Sequence, residues 1–101
     1  MGIGRLLVVN IRDLQCFVKV YELRSFSRAA DALDTVQSQV SARVRRLEEC
    51  VQTPLFVRLH RGVVPTAKGE VVFQYATRVL LEVAAMENEA KPRAAPQKEN
   101  S

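Results

Sequence analysis

The chain has 101 residues, a formal net charge of +4 and a pI near 9.5, enough for one domain around one modest core. Two cysteines are too few for a disulfide framework, and a single histidine, His60, makes a zinc site improbable. Leu6 to Val9, the one apolar run near the N-terminus, is far too short to span a bilayer or to serve as a signal peptide, so the expected location is the cytoplasm.

The charge is unevenly spread. Residues 1–65 carry ten Lys/Arg against six Asp/Glu, whereas residues 66–101 carry five of each. All the excess positive charge therefore lies in the first two thirds, as a phosphate-binding surface requires. Cys16 and Cys50 each fall within a predicted helix with no second cysteine close by, and read as reduced, packed or half-packed thiols.

Residues 1–10 form an N-terminal extension. Asn10 is a plausible N-cap, with Asp13 helping the first turn. Leu14, Phe17, Val18 and Tyr21 then follow i, i+3, i+4, i+7, so the first helix has one apolar face. Arg24-Ser25 ends it, and Phe26 is expected in the core. Ser27 is positioned to cap a short second helix whose inner face is Ala29, Ala30 and Leu33. Asp34-Thr35 makes a turn, with Thr35 as cap of a third helix. There Val36, Val40, Val44, Leu47 and Val51 recur every three or four residues and should face inward. The opposite face shows Gln37, Ser38, Ser41, Arg45 and Glu48, flanked by Gln39, Ala42, Arg43 and Arg46. Thr53-Pro54 stops the helix.

Leu55 to Leu59 reads as a strand, His60-Arg61-Gly62 as a turn and Val63-Val64 as the returning strand, which makes a hairpin or wing. Thr66 is a good cap for a last helix running to about Ala90. Val72, Ala76, Val79, Val83, Met86 and Ala90 form a heptad-like stripe along it, with Phe73, Leu80 and Ala84 beside them. Either one face packs on the domain while the stripe meets a partner, or one broad face lies on the domain. The helix outruns so small a domain, which favours dimerisation. From Lys91 the composition turns to Pro and charge without apolar periodicity, so residues 91–101 are expected to be a disordered tail.

A short helix, a tight turn and a longer helix that starts with small polar residues and continues with arginines is the layout of a helix-turn-helix. Gln pairs with an adenine edge, and short Ser side chains let a helix sit deep in a groove. The alternative is that these residues merely start a solvated helix, and that Arg43, Arg45 and Arg46 pair with Glu48 and Glu49 at helical spacing. Arg28, at the start of the second helix, is placed to reach phosphate. No Gly-rich phosphate loop, metal-spaced cluster or nucleophile beside a histidine is present, so no cofactor, no metal and no enzymatic activity are expected.

Residues 11–90 closely resemble the N-terminal DNA-binding domain of LysR-type transcriptional regulators. The matching strings are Ser25-Phe-Ser-Arg-Ala-Ala-Asp-Ala-Leu33, Thr35-Val-Gln-Ser38, Val40-Ser-Ala-Arg43, Arg46-Leu-Glu-Glu49, Thr53-Pro-Leu-Phe56, Arg61-Gly62 and Thr66-Ala-Lys-Gly-Glu70. The resemblance implies a mainly α winged helix-turn-helix: a three-helix core with a short β-hairpin wing at 11–65, and a long linker and dimerisation helix at 66–90. It implies base contacts from Gln37, Ser38, Ser41, Ala42 and Arg43. Ala42 departs from the arginine that many members carry there. Contacts to backbone or from the wing are implied for Arg28, Thr35, Arg45, Arg58, Arg61 and Thr66, and dimerisation for Val72, Ala76, Val79, Val83 and Met86. The implied partners are double-stranded DNA with a two-fold promoter site and a second copy of the chain, with no membrane. The competing reading is an interaction module that pairs with a full-length regulator as a mixed dimer. Family members typically add a two-lobed sensor domain after the linker helix. Nothing in this sequence corresponds to it, so effector sensing is expected to be absent.

Overall fold

Asn10 starts the first helix. Its side-chain oxygen accepts the Arg12 N–H at 2.7 Å, and α1 runs Ile11–Leu23. This computed structural model describes residues 9–92; the remainder of the N-terminal extension and residues 93–101 of the expected tail lie outside the described residues. Leu14, Phe17, Val18 and Val20 are buried along the inner face of α1. Arg24 adopts the left-handed conformation, with φ 56°, and its N–H closes the helix on the Val20 carbonyl.

Helix α2 spans Phe26–Ala32, and its cap is Ser25 rather than Ser27. The Ser25 hydroxyl accepts the Arg28 N–H at 3.1 Å, while Ser27 is exposed in the first turn. Burial explains the difference. Phe26, Ala29 and Ala30 face the core together at i, i+3, i+4, which requires the helix to begin at Phe26. Asp34, at φ 61°, turns the chain.

Helix α3 spans Gln37–Val51 with Val36, not Thr35, at the cap position, and Val36 supplies no side-chain hydrogen bond. The inward stripe is shorter than expected. Val40, Val44 and Leu47 are buried, but Val36 is 60% exposed and Val51 38%. The helix is longer than the core it crosses, so both ends of the stripe overshoot. Glu48 also differs from its expected solvent-facing role: its carboxylate turns inward and accepts the Leu55 N–H at 2.8 Å.

Strands β1 (Phe56–Arg58) and β2 (Val63–Pro65) pair antiparallel with Val57 opposite Val64. Leu55 and Leu59 fall outside the ladder. Leu55 is fully buried, its N–H bound to Glu48 and its carbonyl to the Thr66 N–H. Phe56 packs 5.3 Å from Phe17 and edge-on to Phe26 at 6.0 Å, which joins the wing base to α1 and α2.

Helix α4 spans Ala67–Ala90, capped by Thr66. It is fastened to α1 by a stacked Tyr21–Phe73 pair with centroids 3.7 Å apart. Ala76 is buried in the chain's own core, and Val72, Phe73 and Leu80 pack against that core. Ala76 therefore leaves the expected dimerisation stripe, because the domain itself covers it, and Val72 is partly covered. Val79 and Met86 stay exposed, together with Val71 and Tyr75, and Val83 is half-buried.

Gly69 lies where α4 crosses the wing base. A Cβ there would run into the Leu55 carbonyl and meet the Pro65 Cβ at 3.2 Å. Gly69→Ala is expected to destabilise the fold by about 1–3 kcal/mol through overpacking. Urea unfolding would show this as a lower midpoint at unchanged m-value. A wild-type midpoint would mean that α4 is not pressed on Leu55.

Candidate nucleic-acid interface

Gln37, Ser38 and Ala42 are exposed on the outer surface of α3, and Ser41 is half-buried between α3 and the wing. The Ser41 side lines a cleft with Phe26, Val44, Arg45, Glu48, Phe56 and Arg58. Gln37 lines an adjoining cleft with Ser25, Ser27, Arg58 and Gly62. The fold thus brings Gln37, Ser41, Arg45 and Arg58 together, although about twenty residues separate the first from the last.

Arg58 is held in place. Its guanidinium lies 4.1 Å from the centre of the Phe26 ring, a cation–π arrangement that costs it none of its charge. The wing is itself pinned, because the Val63 N–H donates to the Arg24 carbonyl at 3.3 Å. Gly62, at φ 78°, allows the reversal, and a Cβ there would sit 2.8 Å from that same carbonyl. Arg61 is exposed at the wing turn, apart from the α3 cleft, and Arg28 is exposed in the first turn of α2.

Arg43 is placed differently from a base-reading residue. One of its guanidinium nitrogens donates to Asp13 Oδ1 at 3.0 Å, and Arg46 Nε approaches Asp13 Oδ2 at 3.6 Å. Asp13 is fully buried, and Oδ2 has no hydrogen-bond partner among the described residues. A carboxylate in that position needs compensating charge, and it draws Arg43 toward α1 and away from the outer surface of α3. The Arg–Glu pairs considered along α3 do not form among the described residues; Arg43 and Arg46 go to Asp13 instead, and Arg45 is exposed.

Taken locally, Asp13 reads only as an acid of the first helical turn. A signal was present: Asp13, Phe17 and Val20 share the i, i+4, i+7 stripe, so Asp13 falls on the buried face. Cys16 lies beside it. Burial pushes its thiol pKa up, and Arg43 opposes that only in part. A protonated buried thiol fits a packing role.

The Thr66 hydroxyl is engaged within the chain. Its hydrogen goes to the Pro54 carbonyl at 2.8 Å, while the oxygen accepts the Gly69 N–H at 2.9 Å. The oxygen caps α4, and the hydrogen is held by Pro54.

The sequence profile described as "Bacterial regulatory helix-turn-helix protein, lysR family" matches residues 11–70, which span α1, α2, α3, the wing and the start of α4. The chain belongs to the LysR family. The HTH-type transcriptional regulator BudR of Klebsiella aerogenes is 46% identical over 80 residues, covering 78% of this chain and 56% of BudR. SoxR of Arthrobacter sp. (strain TE1826), also an HTH-type transcriptional regulator, is 42% identical over 78 residues, covering 77% of this chain and 27% of SoxR. This LysR-family chain thus spans about a quarter of SoxR and about half of BudR. Its fold matches the BenM DBD in a complex with catB site 1 DNA, at TM-score 0.79 and 35% identity, over 87% of this chain and 99% of that one. It is a winged helix-turn-helix DNA-binding domain of LysR type.

The Asp13 cluster predicts unequal costs. Arg43→Ala leaves a buried carboxylate with only the longer Arg46 contact, and should cost about 3–5 kcal/mol. Asp13→Asn should cost less, because Arg43 and Arg46, 26% and 51% exposed, can turn to water. Urea titration of both variants checks the order, and equal or reversed costs would contradict the role given to Asp13.

Proposed function

We infer that the chain binds a two-fold DNA site sequence-selectively as a homodimer in the cytoplasm, and so regulates transcription. The observation that carries this is the convergence of Gln37, Ser41, Arg45 and Arg58 on the exposed side of α3, with the small residues Ser38 and Ala42 leaving room for close approach. In this reading α3 enters the major groove. Gln37 pairs with an adenine edge, Ser38 and Ser41 bond to base edges or nearby phosphates, and the Ala42 methyl meets a thymine methyl. Arg28, Arg45, Arg58 and Arg61 hold register through phosphates. Family membership and the DNA complex formed by the BenM DBD support the reading. It requires no cofactor, metal or catalytic step.

The dimer contact in this reading is the exposed side of α4. Tyr75, Val79 and Met86 recur at i, i+4, i+11, with Val83 on the flank, and form an apolar stripe that the domain leaves uncovered. A longer LysR-type regulator with a similar helix would fit the same stripe. Co-purification with such a protein, together with weak self-association, would favour the mixed dimer.

Selection of genomic fragments by the purified chain at physiological salt should enrich one two-fold motif. Recovery of no motif by a folded protein would count against sequence-selective binding. Ser41→Trp should abolish enrichment while leaving the circular dichroism spectrum unchanged; a variant that still selects the wild-type motif would remove α3 as the reading helix. Arg61→Ala should weaken binding to all sequences alike and reduce the slope of log K against log salt by about one unit. An unchanged slope would take Arg61 off the phosphate surface. Met86→Glu should shift the sedimentation profile toward monomer, and an unaltered dimer would place the contact elsewhere.

A further inference from the structure

The flank of α3 opposite the wing carries a second polar cavity. It measures about 340 Å³ and is lined by Arg12 and Gln15 of α1, Thr35 before α3, and Gln39 and Arg43 of α3, over a floor of Cys16 and Leu33. Its rim offers two guanidinium groups, two carboxamides and a hydroxyl. No carboxylate lines the cavity, and the buried Asp13 is already engaged by Arg43 and Arg46. Its lining thus holds two guanidinium groups and no carboxylate, and among the described residues Arg12 makes no ion pair. The cavity is therefore built for an anion with several acceptor oxygens.

Its position indicates which anion. Gln39 lies about 200° around the helix from Gln37, and Arg43 about 200° from Ser41. Gln37 and Ser41 face the clefts beside the wing. A helix with its side chains is about 10–12 Å across, and the major groove that receives it is about 12 Å wide. Both flanks of an inserted helix then come up against the sugar–phosphate strands that border the groove. The wing meets one strand, and the Arg12 cavity faces the other.

We propose that this cavity seats a backbone phosphodiester of the bound duplex, with Arg12, Gln15 and Gln39 as ligands and Arg43 as a wall held in place by Asp13. The proposal rests on the major-groove reading above. It assigns DNA contact to Arg12, Gln15 and Gln39, and turns Arg43 from a base reader into a positioned phosphate neighbour. The contact carries no sequence information.

The test uses the whole chain and fluorescence anisotropy, on a duplex bearing the selected motif and on a scrambled duplex. Arg12→Gln should lower the salt slope by about 0.9 on both duplexes and leave their affinity ratio unchanged. Gln39→Glu should raise Kd on both by a common factor, and circular dichroism should show both variants folded. In the NMR spectrum, the side-chain amides of Gln15 and Gln39 should shift with duplex and stay in place with millimolar inorganic phosphate. A wild-type slope for Arg12→Gln overturns the seat while the proposed function stands. Saturable shifts with inorganic phosphate but none with duplex also overturn it, in favour of a small free anion. A wild-type chain that binds neither duplex overturns the proposed function and the seat together.

Discussion

A carboxylate closed off from water must find positive charge, and in this chain that requirement orients α3. Asp13 sits on the buried stripe of α1, and its Oδ1 is 3.0 Å from a guanidinium nitrogen of Arg43. Both partners of the pair are charged and one is fully buried, so breaking it would leave an uncompensated ion in a medium of low dielectric. The valine and leucine stripe of α3 tolerates small rotations, because apolar contact is non-directional. A charged hydrogen bond does not. Asp13 therefore supplies the directional restraint that decides which side of α3 faces outward.

The other flank of α3 is restrained by different physics. Phe17, Phe26 and Phe56 bring α1, α2 and the wing base into one aromatic cluster. The Phe26 ring also carries Arg58, so the core side chain that locates the wing orients its cation as well. Glu48 completes this flank by holding the Leu55 N–H. In the proposed complex such preorganisation would favour binding, since an arginine already in place loses less entropy on meeting a phosphate.

Helix α4 shows how one long helix divides its surface. The Tyr21–Phe73 stack and the buried Ala76 fix its first half to the domain. Beyond Leu80 the domain ends and the helix continues alone. The side of α4 turned away from the domain is left uncovered along both halves, which is why the exposed stripe runs through Tyr75, Val79 and Met86 rather than Val72 and Ala76.

Much of this was legible in the sequence. Helical periodicity marked the helices, Gly62 the wing turn, Asn10 and Thr66 two caps, and the ordered motifs the LysR-type winged helix-turn-helix. Each of these depends on residues close together in the chain, where local sterics and hydrogen bonding act without help. The cap at Ser25, the bare start at Val36, the inward turn of Glu48 and the engaged hydroxyl of Thr66 were not legible. Each is settled by a partner distant in sequence, or by which neighbour must be buried. The same holds for the role of Arg43. As a residue on a basic helix it reads as a DNA contact, and only the packing of α1 against α3 places a buried acid beside it. Periodicity and turn chemistry thus determined the elements and their order, and tertiary packing decided which polar groups remained available for function, because each donor satisfied inside the fold is one fewer to offer outside it.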